Sequence, residues 1–281
     1  MPVLVLSDPE AHVLKAPAML LAAGRGERMR PLTDTCPKPL LQVQGKPLMQ
    51  WHLEALLRGG CQQVVVNTAW LEEQIVHTFH SHFGKTPSPG LQPLSDKGEQ
   101  LFNTECLTLH YSREGCDFGA ALETAGGICR ALPLLFPTHS AASDVVFWVL
   151  AADVFTPGFV FAQAAVERFE TSGQLAHLWL VPNPAHNPRG DFGLDAATGL
   201  ALNLPKDDPQ PRYTYSTIGL YHRALFAPPW CDIAPGNPQG IKAALAPLLR
   251  AAMDRGRVSA ELYQGPWTDV GTPERLAQLN A

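Results

Sequence analysis

Leu21-Ala22-Ala23-Gly24-Arg25-Gly26-Glu27-Arg28-Met29-Arg30-Pro31-Leu32-Thr33, joined by Pro37-Lys38-Pro39-Leu40, is the stretch on which the reading of this chain turns. Residues 18–23 form a short apolar run stopped by Gly24, the pattern of a buried strand that ends in a loop. Glycine carries no side chain to block an approach, so backbone N–H groups in such a loop can come close to phosphate oxygens. Arg25, Arg28, Arg30 and Lys38 add four cations, the counter-charge required where a triphosphate meets a second phosphate and about six negative charges gather. Two rival glycine motifs fail. The dinucleotide fingerprint requires a third glycine where Met29 stands, and the P-loop requires a glycine at Leu40 and a hydroxyl residue at Pro47.

Outward from the loop, helix and strand patterns alternate. Residues 48–57 have apolar positions at helical spacing and stop at Gly59-Gly60, residues 64–67 read as a β-branched strand, and residues 71–83 are helical in pattern. A strand over 106–111, a helix over 126–135 and a buried strand over 145–150 follow, the last delivering Asp153 at its carboxyl end, the edge where open α/β sheets bind ligands. A strand over 175–181, mixed β segments through Tyr221, a helix over 240–253, a strand around Leu262-Tyr263 and a helix from Pro273 complete the pattern. The fold class expected is α/β: a single Rossmann-like domain over 18–281, with a mixed, mainly parallel central sheet flanked by helices. Residues 1–17 read as an N-terminal extension, and residues 84–105, rich in Pro, Ser, Gly and Lys, as a surface insertion.

Composition excludes several classes. The 281 residues are 46% apolar and 17% charged with a net charge of −5, which fits a globular enzyme and gives no electrostatic footprint for nucleic acid. The longest apolar stretch, 145–152, is too short to span a bilayer, and the first fifteen residues lack the pattern of a signal peptide. Six cysteines without a C-x-x-C pair read as reduced thiols, so a cytoplasmic protein without membrane or nucleic-acid partners is expected. His77, His80 and His82 have no accompanying carboxylate at helical spacing and read as a solvated helix end. Trp70 reads as a core aromatic, and Glu123 either touches a ligand or caps the helix ahead of Gly126.

The string over 21–40 resembles the signature of the sugar-1-phosphate nucleotidyltransferase family. Val66-Asn67-Thr68-Ala69-Trp70-Leu71, Tyr111-Ser112-Arg113-Glu114-Gly115, Leu122-Glu123-Thr124-Ala125-Gly126-Gly127-Ile128, Asn183-Pro184, Arg189-Gly190-Asp191-Phe192 and Trp267-Thr268-Asp269-Val270-Gly271-Thr272 resemble its N-acetylmuramate-1-phosphate uridylyltransferase branch. The resemblance implies transfer of a nucleotidyl group, UMP from UTP, to a sugar 1-phosphate in peptidoglycan recycling, with release of pyrophosphate. It implies nucleotide binding by Ala23, Gly24, Gly26, Glu27, Arg28, Lys38, Ser112, Glu123 and Thr124. It places Mg2+ on Asp153 and Asp269, and the sugar against Gly127, Asn183, Asp191 and Thr217. Arg28, Lys38 and Asp153 are the residues expected to carry catalysis. The family's glycine ahead of the first aspartate is Ala152 here, whose methyl stands to crowd the nucleotide. A mannose-1-phosphate guanylyltransferase, a glucose-1-phosphate thymidylyl- or uridylyltransferase and a nucleotide-sensing homologue without turnover share these features. A monomer or small homo-oligomer is expected.

The chemistry needs no general base, because the attacking phosphate oxygen is already ionised at neutral pH. Catalysis then reduces to alignment and neutralisation of charge.

Overall fold

The structure, a computed structural model, describes residues 16–84, 106–137 and 145–281. Of the expected N-terminal extension and insertion, all but residues 16, 17 and 84 lie outside the described residues. In chain order the elements are β1 (Ala18–Leu21), β2 (Gln42–Val43), β3 (Lys46–Pro47), α1 (Leu48–Arg58), β4 (Gln63–Thr68), α2 (Glu72–Phe79), β5 (His82–Gly84), β6 (Cys106–Arg113), α3 (Glu114–Phe118), α4 (Glu123–Leu135) and β7 (Val146–Ala151). They continue with β8 (Val154–Phe155), α5 (Gln163–Ser172), β9 (Ala176–Val181), β10 (Phe192–Asp195), β11 (Leu200–Leu202), β12 (Arg212–His222), α6 (Leu245–Met253), β13 (Val258–Leu262), β14 (Thr268–Asp269) and α7 (Pro273–Asn280).

Among the described residues, ten strands form one mixed sheet in the order β10-β11-β13-β9-β12-β7-β1-β4-β6-β5. Around the glycine loop the sheet is parallel, β1 lying between β7 and β4 and β4 beside β6. Beyond β7 it changes character. The β12 strand inserts antiparallel to both β7 and β9, β10 pairs antiparallel with β11 and β12, and only β9 and β13 run parallel. The expectation of a mainly parallel sheet therefore holds for one half only. The short turn between β10 and β11 permits an antiparallel return and nothing else, since a parallel return needs a crossover of a dozen or more residues.

Period-two alternation assigns the faces. Ala18, Leu20, Val64, Val66, Trp148 and Leu150 pack with Leu53, Ile75 and Val166 from α1, α2 and α5. Met19, Val65, Phe147 and Val149 pack with Ile128, Leu132 and Leu249 from α4 and α6. With both faces covered, the central strands are continuous apolar runs, and burying each large side chain contributes about 1.5–3 kcal/mol. A third, smaller cluster of Met29, Leu41, Val43, Leu48, Phe155 and Val270, with Leu276 and Leu279 of α7 against it, holds the glycine loop to β8 and β14.

Two helices are shorter than their apolar spacing predicts. The α2 helix ends at Phe79, His80 turns the chain at φ 53°, and His82–Gly84 pairs antiparallel with β6, because the sheet edge offers that backbone a partner. The α6 helix begins at Leu245 rather than at residue 240. The buried Asn237 side chain donates to the Ile241 carbonyl at 2.9 Å and accepts from the Ile241 N–H at 2.9 Å, so both backbone groups are used outside a helix.

Candidate active site

A cavity of about 810 Å³ lies over the carboxyl ends of β1 and β7. Of the sequence-predicted residues, Ala23, Gly24, Gly26, Glu27, Arg28, Lys38, Glu123, Thr124, Asp153, Asp191 and Thr217 line it. The loop is held from both sides. Asn67 accepts the Ala22 N–H on Oδ1 at 2.8 Å, and the buried Thr33 hydroxyl donates to the Gly26 carbonyl at 2.8 Å. Gly26 has a φ of 67°, and a Cβ there would meet Thr33 Cγ2 at 3.0 Å, so this position requires glycine.

The four cations divide into pairs. Arg25 donates to the Thr33 carbonyl at 2.6 Å and to Asp34 at 3.0 Å, and its guanidinium lies 3.6 Å from the centre of the Trp70 ring. Arg30 also donates to Asp34, at 2.8 Å. These two cations brace the loop, and Arg25 holds the Asp34 carboxyl below its ordinary range. Trp70 is accordingly a loop brace, its Nε1 donating to the same Thr33 carbonyl at 2.9 Å. Arg28 and Lys38 face the cavity.

Asp153 follows β7 in the turn to β8. Its Oδ2 accepts from the buried Lys38 Nζ at 2.6 Å, and its carbonyl accepts from the Val270 N–H at 3.0 Å. In the two-stranded β8–β14 ladder Asp269 lies opposite Val154, which brings the two aspartates to neighbouring backbone positions. Asp269 Oδ2 accepts from Arg275 at 2.9 Å and is 3.3 Å from His186 Nε2. Asp269 is not on the cavity wall, but Gly271 is. A Cβ at Gly271 would stand 2.9 and 3.0 Å from the two Asp269 carboxylate oxygens, so this turn leaves the carboxylate room only beside a glycine. Helix α7 is capped by Thr272, whose hydroxyl accepts from the Arg275 N–H, not by Asp269. Under the ladder, buried His52 donates from Nε2 to the Val154 carbonyl at 2.7 Å, and burial lowers its pKa to about 4, which keeps the ring neutral. The Ala152 methyl packs in the core on the side of α1 and α5 and is not part of the cavity wall.

On the opposite flank, β12 shifts register between Tyr215 and Gly219. Thr217 sits in this bulge at φ 69° with its hydroxyl buried and without a hydrogen-bond partner among the described residues. A β-branched residue at positive φ is a strained conformation of the kind that gathers at functional sites. Asp191 accepts from the Tyr215 N–H at 2.8 Å and from Asn187 at 3.2 Å. Asn183 is set back from the cavity wall and ties its loop to β12, donating to the Arg212 carbonyl at 2.9 Å and accepting from Thr214 at 3.0 Å.

Ser112 and Gly127 also lie off the cavity wall. Ser112 is buried in β6 with no hydrogen-bond partner for its hydroxyl among the described residues. Gly127 is a close-approach position, where a Cβ would meet Glu114 Oε1 at 2.6 Å and Asn67 Nδ2 at 2.9 Å. The cavity wall there is formed by Asn67 and Glu114 themselves. Glu114 is fully buried, accepting from Asn67 Nδ2 at 2.7 Å and from the Leu122 N–H at 2.7 Å, and burial raises its pKa. In the sequence, only its place in Tyr111-Ser112-Arg113-Glu114-Gly115 marks it. Glu123 begins α4 at φ 59° and faces the cavity, which removes it as a cap. His77, His80 and His82 are exposed, and no group of three or more candidate metal-binding side chains occurs among the described residues. No described helix is long and apolar enough to cross a membrane.

A glycine loop at the end of a parallel strand, with Arg28 and the Lys38–Asp153 pair facing the cavity beside it, is an arrangement that suits phosphate-bearing ligands in an α/β protein. The family described as "Nucleotidyl transferase" matches residues 17–281, and the chain belongs to it. It is 40% identical over 275 residues, 94% of this chain and 96% of the other, to an N-acetylmuramate alpha-1-phosphate uridylyltransferase from Neisseria meningitidis. A protein of the same description from Caulobacter vibrioides is 29% identical, with 92% of each chain covered. Among solved structures, a Bacillus anthracis protein described as a glucose-1-phosphate thymidylyltransferase superposes with a TM-score of 0.67 over 94% of each chain at 18% identity, a likeness of fold.

Proposed function

We propose that this chain transfers UMP from UTP to N-acetylmuramate 1-phosphate, giving the nucleotide sugar and pyrophosphate, in the cytoplasm as a step of peptidoglycan recycling. The observation that carries the reading is the full-length similarity to the Neisseria relative, on a chain whose cavity gathers the loop, Arg28, Lys38 and Asp153. Six free cysteines suit a reducing compartment. We infer a monomer or small homo-oligomer with residues 18–281 as the catalytic unit.

In this reading the amides of Gly24 to Arg28 hold the triphosphate, and Lys38 and Arg28 neutralise charge on the α-phosphate and the departing pyrophosphate. A phosphate oxygen of the sugar 1-phosphate bonds to the α-phosphorus while the bond from that phosphorus to the β-phosphate oxygen breaks. Ala23, Glu123 and Thr124 form the base end, with Ser112 and Gly127 behind it. Asp191 and Thr217 meet the sugar, and Asn183 supports their loop.

Magnesium suits the donor set. Asp153 and Asp269 supply hard carboxylate oxygens from neighbouring backbone positions, Asp269 being paired with Arg275, and no fuller protein cage exists among the described residues. An ion that keeps several waters and takes one or two carboxylates plus substrate phosphates fits such a pair. When bound there, it supplies positive charge to the reacting phosphates.

Pyrophosphate release measured with four nucleoside triphosphates against a set of sugar 1-phosphates tests the assignment. UTP with N-acetylmuramate 1-phosphate should give the highest kcat/KM. A higher value for GTP with mannose 1-phosphate, or for dTTP with glucose 1-phosphate, would overturn it, and absence of turnover with every pair would point to a sensor.

A further inference from the structure

Two cations on the cavity wall have no carboxylate partner among the described residues. One is Arg28 of the glycine loop. The other is Arg250 of α6, on the flank made by β10, β12 and α6. Arg250 is half-buried. Its Nη1 donates to Asn203 Oδ1 at 2.6 Å and its Nη2 to the Asp191 carbonyl at 3.5 Å, while its guanidinium lies 5.0 Å from the centre of the Phe192 ring. Both acceptors are neutral. Asn203 donates from Nδ2 to Asp254 at 2.8 Å, so Asp254 orients the amide that holds the guanidinium without pairing with the charge itself.

A guanidinium offers five N–H donors in a planar fork, and the two acceptors leave donors free for a ligand. The charge is thus held in place beside apolar Leu245 and Leu249, and no cavity carboxylate pairs with it among the described residues, the Asp191 carboxylate being taken by the Tyr215 N–H and Asn187. A ligand carboxylate or phosphate is its complement. The phosphates of both substrates are already met by the loop, Arg28 and Lys38. What N-acetylmuramate adds to N-acetylglucosamine is a lactyl ether ending in a carboxylate.

We propose that Arg250 is the specificity-determining residue that pairs with the lactyl carboxylate of the sugar, an inference that rests on the function proposed above. A site built around a charged partner discriminates strongly against an analogue that lacks it, because the protein charge is then left desolvated and unpaired. The Asn203–Asp254 pair serves as the support that fixes the fork.

The test compares kcat/KM for N-acetylmuramate 1-phosphate and N-acetylglucosamine 1-phosphate, each with UTP, in the wild type, Arg250→Gln and Arg250→Lys, with Tm recorded for each. The wild type should favour the acidic sugar. Arg250→Gln should lower that preference by about 10–100-fold, the range for losing one charge-assisted hydrogen-bond partner, chiefly through KM for the acidic sugar. Arg250→Lys should retain part of it, since it keeps the charge and loses the fork. An unchanged preference in Arg250→Gln overturns the inference. So does an equal loss on both sugars, which would assign Arg250 to the phosphate they share. A wild type with no preference for the acidic sugar refutes the proposed function instead. Should Arg250→Gln fail to fold, Asn203→Ala, which releases the guanidinium and the Asp254 carboxylate but leaves Arg250 in place, should lower the same preference, and its failure to do so counts against the proposal equally.

Discussion

Lys38 Nζ and Asp153 Oδ2 meet at 2.6 Å across 115 positions of sequence, with the lysine side chain 8% exposed. The cation assigned to the phosphates and the carboxylate assigned to the metal therefore neutralise each other in the ligand-free protein. In the proposed function a cation held by Asp153 would free Lys38 for the triphosphate, so the two binding events would be coupled.

Lys38→Ala should lower kcat/KM for the nucleotide by about 10–100-fold, since the lysine acts as a point charge on phosphate oxygens. It should also leave Asp153 unpaired and lower the magnesium concentration needed for half-maximal binding of the ion. An unchanged kcat/KM for UTP removes Lys38 from the site.

Glu114→Gln tests the buried carboxylate behind the cavity. Burial raises the Glu114 pKa above 4.5, so above pH 4.5 the folded state binds more protons at this group than the unfolded state, and its contribution to stability falls as pH rises toward the raised value. Glutamine carries no such dependence, although it keeps only one of the two acceptor oxygens that serve Asn67 Nδ2 and the Leu122 N–H. The Tm advantage of the wild type over Glu114→Gln should therefore shrink as pH rises from about 4.5 toward neutrality, and KM for UTP should rise in the variant. A Tm difference that stays flat with pH would place the Glu114 pKa at its ordinary value.

Thr217→Gly separates strain from use. Positive φ at a β-branched residue costs about 1–3 kcal/mol, more than the roughly 0.5–1 kcal/mol entropic disadvantage of glycine. Tm should hold or rise while kcat/KM for the sugar 1-phosphate falls. A clear drop in Tm with unchanged kinetics would make the bulge purely structural.

Much of the fold was legible because its signals are local. The loop over 21–33 and the strands over 64–67 and 145–150 announce themselves by glycines and β-branched runs, and the structure places them side by side. What failed was decided by distant partners. Residues 80–83 continue a helical pattern, yet β6 claims them for the sheet edge. Residues 240–244 look helical, yet the Asn237 side chain takes the Ile241 N–H and carbonyl, and the Ala243 N–H and carbonyl bond to Leu122 and Ala125. In the site, a motif identifies Arg28 and Lys38 but cannot say that Arg25 is spent on Trp70 and Asp34, or that the Ser112 hydroxyl is buried off the cavity wall. His52 and Arg250 sit on helices whose pattern explains them as ordinary residues, and only the fold brings them to Val154 and the cavity.

If Asp153 and Asp269 serve one magnesium-dependent nucleotidyl transfer, pyrophosphate release against magnesium concentration will separate the wild type, Asp153→Asn, Asp269→Asn and Thr272→Ala, with Tm taken in parallel. Thr272→Ala should lose about 0.5–2 kcal/mol of stability as a lost helix cap and keep its turnover. Both aspartate variants should stay folded, require far more magnesium and lose orders of magnitude in kcat. Normal turnover by Asp269→Asn at ordinary magnesium, accompanied by early melting, would contradict the account and leave Asp269 only as the partner of Arg275.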